Sequence, residues 1–136
     1  MMRPLLSRRP LSLSVHAHID FVSVVVMLLA PRLLRLQPAS VAVSAGLAGA
    51  GLLIGSATDY PYPVHRSRDL TPARHRQLER LSFPVLLVLL IGTGRLARRA
   101  DRTYFLMVLL AYGLTHGLTD WPHAAPNHHP GLKGAG

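Results

Sequence analysis

Residues 39–57 read ASVAVSAGLAGAGLLIGSA, and no charged residue occurs between Arg35 and Asp59. The stretch has about the length of the roughly 20 residues that a helix needs to cross the hydrocarbon core of a bilayer. A helix of a soluble bundle would carry a polar stripe, and here only serines could form one. The stretch therefore predicts a transmembrane helix and disfavours a soluble four-helix bundle.

Three further charge-poor segments accompany it, and the four together predict helices at 15–36, 39–57, 77–97 and 103–120. The third is the least apolar, because Arg80 and Arg95 must extend toward the membrane surfaces for it to span. Pro38 and the proline-rich stretch 58–72 separate the helices. The sequence thus predicts an all-α, polytopic membrane four-helix bundle over 15–121. A basic N-terminal tail at 1–14 and a disordered His/Pro/Gly tail at 122–136 flank it.

The composition supports the membrane class. Of the residues, 49% are hydrophobic and only 15% are charged, whereas about a quarter are charged in soluble domains. The net charge of +9 comes from arginines that lie between apolar runs instead of on one face, which indicates anionic lipid headgroups and not nucleic acid. The lipid bilayer is the predicted partner, together with a second copy or another membrane protein. Since there is no cysteine, disulfides, thiolate metal sites and cysteine nucleophiles are excluded.

The distribution of basic residues predicts an orientation. With four spans, nine Lys and Arg residues lie on the side of the two termini and six on the other side. The positive-inside rule then places both termini in the cytoplasm of a multi-pass protein of the cell membrane. The dense cluster of arginines at 95–102 argues for the opposite orientation.

The chain contains an internal repeat. His16 and Asp20 open the first half with the pattern His-x-x-x-acid, and His75 and Glu79 open the second half 59 residues later. A Thr-Asp-aromatic-Pro sequence closes each half, at 58–61 and at 119–122, with an offset of 61 residues. Two copies therefore align with a two-residue adjustment, which predicts two tandem two-helix repeats.

Each closing motif follows a pair of glycines four residues apart. The pairs are Gly51 with Gly55, and Gly113 with Gly117. Glycines at this spacing form a flat strip that lets helices approach closely in lipid. These four glycines are predicted helix-packing residues, and the second and fourth helices are the predicted centre of the bundle.

These motifs resemble the SPW repeat family of small bacterial membrane proteins. The resemblance covers about residues 16–122 and is carried by 16–20, 58–60 and 75–79, together with Ala30-Pro31. The Ser-Pro-Trp motif that names the family is replaced by residues 30–32, Ala-Pro-Arg, in the first copy and by 92–94, Gly-Thr-Gly, in the second. The resemblance implies a membrane fold of two-helix units and no settled biochemical activity.

Four spans would bring the opening and closing motifs to one membrane face, together with all eight histidines. The candidate polar site at that face consists of His16, Asp20, Asp59, His75, Glu79, His116 and Asp120. Imidazole and carboxylate groups four residues apart on a helix can bind a metal ion or pass protons. Acids in the first turn of a helix also interact favourably with its dipole, and Arg66, Arg74 or Arg76 could pair with them. The sequence does not decide among these roles.

No nucleotide-binding, hydrolase or zinc-protease motif is present. We therefore expect no enzyme activity and no obligatory cofactor, and the favoured interpretation is a structural or interaction protein of the membrane. Two alternatives stay open: a small transporter, channel or proton-pathway subunit, and a metal- or haem-binding membrane protein. His128 and His129 in the tail are expected to be solvated.

Overall fold

A computed structural model describes residues 9–122 of the chain. Residues 1–8 of the predicted basic tail and residues 123–136 of the predicted C-terminal tail, with His128 and His129, lie outside the described residues. Four helices form the fold, α1 (Leu13–Leu33), α2 (Pro38–Ala57), α3 (Pro72–Gly92) and α4 (Arg99–Leu118). Within 9–122 there is no strand, only two isolated β-bridges. The fold is all-helical, as predicted.

Helix α3 begins and ends five residues before the predicted bounds of 77 and 97. Thr71 sets its start, because the Thr71 side chain accepts a hydrogen bond from the backbone N–H of Arg74 at 3.3 Å. Pro72 takes the first helical position, where a missing N–H costs nothing. Helices α1 and α4 also begin earlier than the predicted 15 and 103. Hydropathy places a boundary where charge begins, whereas the side-chain caps Ser12 and Thr71 set the starts of α1 and α3.

The turns of the two hairpins have the same backbone structure. After α1, the N–H of Leu36 donates to the carbonyl of Pro31 at 2.9 Å, and the corresponding bond after α3 has the same length. This Schellman closure places one residue in the left-handed region. That residue is Arg35 with φ 51° in the first hairpin and Gly94 with φ 66° in the second. Glycine suits the position, whereas a side chain there costs about 1 kcal/mol.

The chain ends of the two hairpins pair with each other. The N–H of Asp59, after α2, donates to the carbonyl of Leu70, before α3, at 2.8 Å. The N–H of Asp120, after α4, donates to the carbonyl of Leu11, before α1, also at 2.8 Å. The end of each hairpin therefore pairs with the start of the other, through equivalent residues of the two repeats. The two-residue adjustment lies in the turns, which are 34–37 in the first hairpin and 93–98 in the second.

The bundle has two ends of different character. We call the end with the starts of α1 and α3 the histidine end, and the end with the two hairpin turns the turn end. The five described histidines, His16, His18, His65, His75 and His116, all belong to the histidine end or to the linker beside it. The larger apolar core lies toward the turn end and consists of Leu36, Leu86, Leu90, Tyr104 and Phe105.

The predicted central position of α2 and α4 differs from the packing. Helix α2 lies closely against α1 along its length, whereas α4 is more widely spaced from both α1 and α3. A methyl group on Gly51 would meet α1 at Val24, and one on Gly113 would meet α3 at Phe83. Gly117 has open space around it. Gly51 and Gly113 thus serve contacts within their own hairpins instead of a contact between α2 and α4.

Two of the helices, α1 and α2, are long and apolar enough to cross a membrane by length and composition. Helices α3 and α4 carry charged residues in their first turns. The first turns of α3 include Arg74 and Arg76, and those of α4 include Arg99, Asp101 and Arg102.

The matched glycines Gly55 and Gly117 provide a test of the packing. A Cβ on Gly55 would lie 2.5 Å from the ring of Tyr62, which is 3% exposed and stacks on Tyr60. Gly55→Ala is therefore expected to lower the free energy of unfolding by about 1–3 kcal/mol. Gly117→Ala should leave it unchanged or raise it, because alanine favours helix. Thermal unfolding in detergent, followed by circular dichroism, compares the two, and equal destabilisation would contradict the described packing.

Candidate functional site

Part of the predicted polar site is assembled at the histidine end. His16 and Asp20 lie one turn apart on α1, and His75 and Glu79 lie one turn apart on α3. One nitrogen or oxygen from each of these four side chains lies within 4.8 Å of the others. We call these four residues the His/acid cluster.

Each imidazole of the cluster faces both carboxylates. His16 Nε2 lies 3.2 Å from Asp20 Oδ2 and 3.4 Å from Glu79 Oε1. His75 Nε2 lies 3.5 Å from each of the same two oxygens. The two repeats therefore contribute one histidine and one acid each to a single group of four atoms, instead of forming two separate pairs.

Two threonines fix the ring orientation of the histidines. His16 Nδ1 lies 2.8 Å from Thr119 Oγ1, and His75 Nδ1 lies 2.9 Å from Thr58 Oγ1. Each hydroxyl already donates its proton to the backbone carbonyl four residues earlier, at 2.6 Å for Thr119 and 2.7 Å for Thr58. Both threonine oxygens must therefore accept, and both histidines carry a proton on Nδ1. In a neutral ring the lone pair is then at Nε2, toward the carboxylates.

These threonine bonds cross from one repeat to the other. Thr119 ends the second repeat and orients His16 of the first, while Thr58 ends the first repeat and orients His75 of the second. The exchange follows from the paired chain ends, since both threonines are also the residues of the isolated bridges. The site is thus built at the contact between the hairpins.

The cluster is buried except at one acid. His16, His75 and Glu79 are 0%, 3% and 4% exposed, whereas the side chain of Asp20 is 16% exposed. Neither histidine Nε2 has a hydrogen-bond partner among the described residues. A buried polar atom without a partner is costly. Two such atoms that face the same two carboxylates indicate a site for shared protons or for a cation.

A second layer of side chains holds the carboxylates. The hydroxyl of Tyr60 donates to Asp20 Oδ2 at 2.9 Å. His116 Nδ1 lies 2.7 Å from Glu79 Oε2, and Trp121 Nε1 donates to the backbone carbonyl of His116 at 3.1 Å. Both carboxylates are therefore held from outside as well as by the histidines, which limits their freedom to turn away.

The linker tyrosines remain neutral. Burial and the nearby Asp20 carboxylate raise the pKa of the Tyr60 phenol far above its ordinary value. Burial, with a smaller contribution from Asp20, raises the pKa of Tyr62 to about 12. Tyr60 thus acts only as a hydrogen-bond donor to Asp20 near neutral pH.

Three of the seven predicted site residues lie outside the cluster: His116, which contacts Glu79, and the two aspartates of the closing motifs, which do not contact it. Asp59 and Asp120 are exposed, and Asp59 pairs with the exposed Arg68 at 3.2 Å. The cause is the extended backbone of the closing motifs, in which successive side chains point to opposite sides. The buried and exposed residues alternate from Thr58 to Tyr62, and they alternate again from Thr119 to 122.

Sequence reasoning assigned no role at the site to the inward-facing residues of these motifs. Thr58, Tyr60, Thr119 and Trp121 are the residues that contact the cluster. The signal was available, because the prolines at 61 and 122 exclude helix and favour an extended segment. Period-two alternation would then have placed the threonine and the aromatic residue on one side and the aspartate on the other.

Arginine does not partner the acids of the cluster. Within residues 9–122, no arginine comes within ion-pair distance of Asp20 or Glu79. Arg76 instead lies over the ring of Trp121, 6.0 Å from its centroid. The expected pairing of these acids with Arg66, Arg74 or Arg76 is absent from the described residues, and histidines are the basic groups in contact with them.

Comparison with known proteins gives no match: no protein-family model, no curated protein and no solved structure is significantly similar to this chain. The resemblance to the SPW repeat family is therefore carried only by the residues quoted above, and it stays a prediction.

The two cross-repeat threonines are a sharp test of the site. Thr58→Val and Thr119→Val each remove the acceptor of a buried imidazole N–H while preserving shape. We expect each to lower the free energy of unfolding by about 1–3 kcal/mol. Thr115→Val is the matched control, because Thr115 lies one turn before Thr119 and donates only to the carbonyl of Ala111. Denaturant unfolding in micelles measures the difference, and an equal effect at position 115 would refute the assigned role.

Proposed function

We propose that this chain is a small multi-pass membrane protein whose four helices all cross the bilayer, and that it is a structural or interaction protein instead of an enzyme. The observation that carries the proposal is that large aliphatic side chains are exposed on all four helices. The proposal also draws on the internal clamp that the His/acid cluster forms between the two hairpins.

Each of the four helices exposes at least one large aliphatic side chain. Val22 of α1 is 58% exposed, Leu53 of α2 is 55%, Val88 of α3 is 70% and Leu110 of α4 is 54%. Soluble monomers rarely expose apolar patches larger than a few hundred Å². A hydrocarbon environment would leave such side chains in contact with lipid at no cost. These exposed apolar side chains therefore support a bilayer around α3 and α4 as well as around α1 and α2.

Exposed arginines lie at both ends of the bundle, beyond the exposed apolar side chains. Exposed arginines at the turn end are Arg32, Arg35, Arg98, Arg99 and Arg102, and those at the histidine end include Arg66, Arg68, Arg74 and Arg80. Positive side chains at both borders of an apolar span bind lipid phosphates and hold the span in register.

The acids that make α3 and α4 less apolar are not exposed to lipid. Glu79 is 4% exposed inside the His/acid cluster, and Asp101 is 1% exposed. Asp101 Oδ1 accepts a hydrogen bond from the backbone N–H of Gln37 at 3.2 Å, across the hairpin turns. Intramembrane acids are tolerated when they face the bundle interior and have partners. The burial of Glu79 and Asp101 therefore supports α3 and α4 as membrane spans, although their composition alone does not favour crossing a bilayer.

A transport pathway has less support. A path from the cluster to the turn end would cross the apolar core that includes Leu86, Leu90 and Phe105. A cleft of about 840 Å³ between α1 and α4 reaches Asp20, but apolar side chains form most of its walls. Such walls suit the acyl chains of surrounding lipid better than a hydrated ion.

Cysteine labelling tests the four spans, because the natural chain has no cysteine. Single substitutions Leu34→Cys, Val64→Cys and Ala97→Cys place thiols at the first turn, the linker and the second turn, all exposed. A membrane-impermeant maleimide should label positions 34 and 97 in intact cells. Position 64 should be labelled only after permeabilisation, if the linker is cytoplasmic. Labelling of 64 and 97 from the same side would overturn the third span.

The clamp is tested by comparing buried and exposed acids. Glu79 contacts three histidines, and Glu79→Gln should lower the free energy of unfolding by about 3 kcal/mol. The control is Asp59→Asn combined with Asp120→Asn, which alters only exposed acids and should change it by less than about 0.5 kcal/mol. Thermal melts in one detergent give both values. A control as unstable as Glu79→Gln would contradict the clamp.

A further inference from the structure

We propose that the His/acid cluster binds one divalent transition-metal ion of the zinc class. The ligands are Nε2 of His16 and His75 and one carboxylate oxygen from each of Asp20 and Glu79. The inference goes beyond the structural role above, because it gives the cluster a chemical ligand. The ion would join α1 to α3 and so hold the two repeats together.

The nitrogen-to-oxygen spacings of the four atoms are close to those of tetrahedral coordination. Zinc binds imidazole nitrogen and carboxylate oxygen at about 2.0–2.1 Å, so neighbouring ligand atoms of a tetrahedron lie about 3.3 Å apart. The four nitrogen-to-oxygen distances of the cluster are 3.2, 3.4, 3.5 and 3.5 Å. The nitrogen-to-nitrogen and oxygen-to-oxygen separations must also approach this value, and one ligand atom from each of the four residues already lies within 4.8 Å of the others. Small movements of the side chains would complete the coordination sphere.

The histidines have the tautomer that metal binding requires. The Nδ1 protons are held by Thr119 and Thr58, so that both Nε2 lone pairs face the centre of the cluster. Metal-binding histidines nearly always donate their other ring N–H to an outer partner, which fixes the ring and raises its basicity. His116 and Tyr60 hold the two carboxylates in the same way.

The charge of the site also suits a dication. Asp20 and Glu79 bring two negative charges into a nearly closed site, and no arginine of residues 9–122 pairs with them. Pairing with protonated histidines would supply two positive charges, but each would need an N–H at Nε2 aimed at an oxygen. Neither Nε2 makes such a hydrogen bond. A central divalent ion satisfies both nitrogens and both carboxylates at once.

The donor set selects the metal. Two imidazoles and two carboxylates suit zinc and its neighbours in the first transition series, whereas calcium and magnesium require oxygen ligands and more of them. Haem does not fit, because both Nε2 atoms lie within 3.5 Å of the same carboxylate oxygens, which occupy the space that a porphyrin would need. Four protein ligands describe a closed, structural type of site.

The experiment uses the full-length chain with a tag that contains no histidine. His123, His128 and His129 are replaced by asparagine in every sample, because the tail could bind metal by itself. After chelator treatment and its removal, Zn²⁺ binding is measured in detergent by competition with a chromogenic chelator, and Co²⁺ is added for spectroscopy. We expect one Zn²⁺ per chain, a melting temperature several degrees higher with Zn²⁺, and the intense visible absorption of tetrahedral Co²⁺.

Variants assign the ion to the cluster. His75→Gln should weaken Zn²⁺ binding at least about 100-fold, and Thr58→Val, which removes only an outer partner, about 10- to 100-fold. His18→Gln is the matched control, because His18 is exposed on α1 two residues from His16. It should leave the affinity unchanged. Helix content from circular dichroism establishes that the variants are folded, and Thr58→Val serves if His75→Gln is not.

Several results would overturn metal binding. One is the failure of the chain with an intact cluster and replaced tail histidines to bind one Zn²⁺. Another is an equal loss of Zn²⁺ affinity in His18→Gln and His75→Gln. Saturation by Mg²⁺ at a similar concentration would refute the assigned metal class. Membrane topology is measured independently, so a failed third span leaves the metal site standing, and an absent metal leaves the four spans standing.

Discussion

Four ionisable side chains lie together out of water where the two hairpins meet, and the histidine end is arranged to satisfy them. Removing such groups from solvent is costly unless each finds a partner. Threonines from the opposite repeat orient both imidazoles, and Tyr60 and His116 hold the carboxylates. Each partner comes from a chain segment other than that of the side chain it holds. The cluster therefore specifies how the hairpins dock as well as what the site can bind.

The repeat is most regular where it carries this chemistry. Caps, Schellman turns and the chain-end pairings recur with fixed offsets. The helix interiors have diverged: α2 is rich in small residues and lies close to α1, whereas α3 and α4 are farther apart. Apolar contacts can be exchanged among many side chains of similar volume. Hydrogen bonds to an imidazole have fixed donors and directions, so the polar end tolerates fewer arrangements.

The bundle exposes many large aliphatic side chains and buries several polar ones, which is unusual for a soluble bundle. Large aliphatic side chains cover the outside, and buried polar side chains such as His16, Ser44 and Asp101 occupy the inside. Internal hydrogen bonds of these buried polar side chains contribute to the specificity of the packing. Ser44 illustrates this, because it donates to the carbonyl of Met27 and accepts from Tyr104, and so ties three helices together.

The sequence by itself determined the number of helices, the repeat and the gathering of the described histidines at one end, because hydropathy, spacing and topology are local or additive properties. It also identified His16, Asp20, His75, Glu79 and His116 as neighbours. Only the tertiary structure decided that Asp59 and Asp120 turn outward, because that depends on an extended backbone fixed by pairing with another segment. The tautomers likewise depend on Thr58 and Thr119, which reach the histidines only after the chain ends have paired.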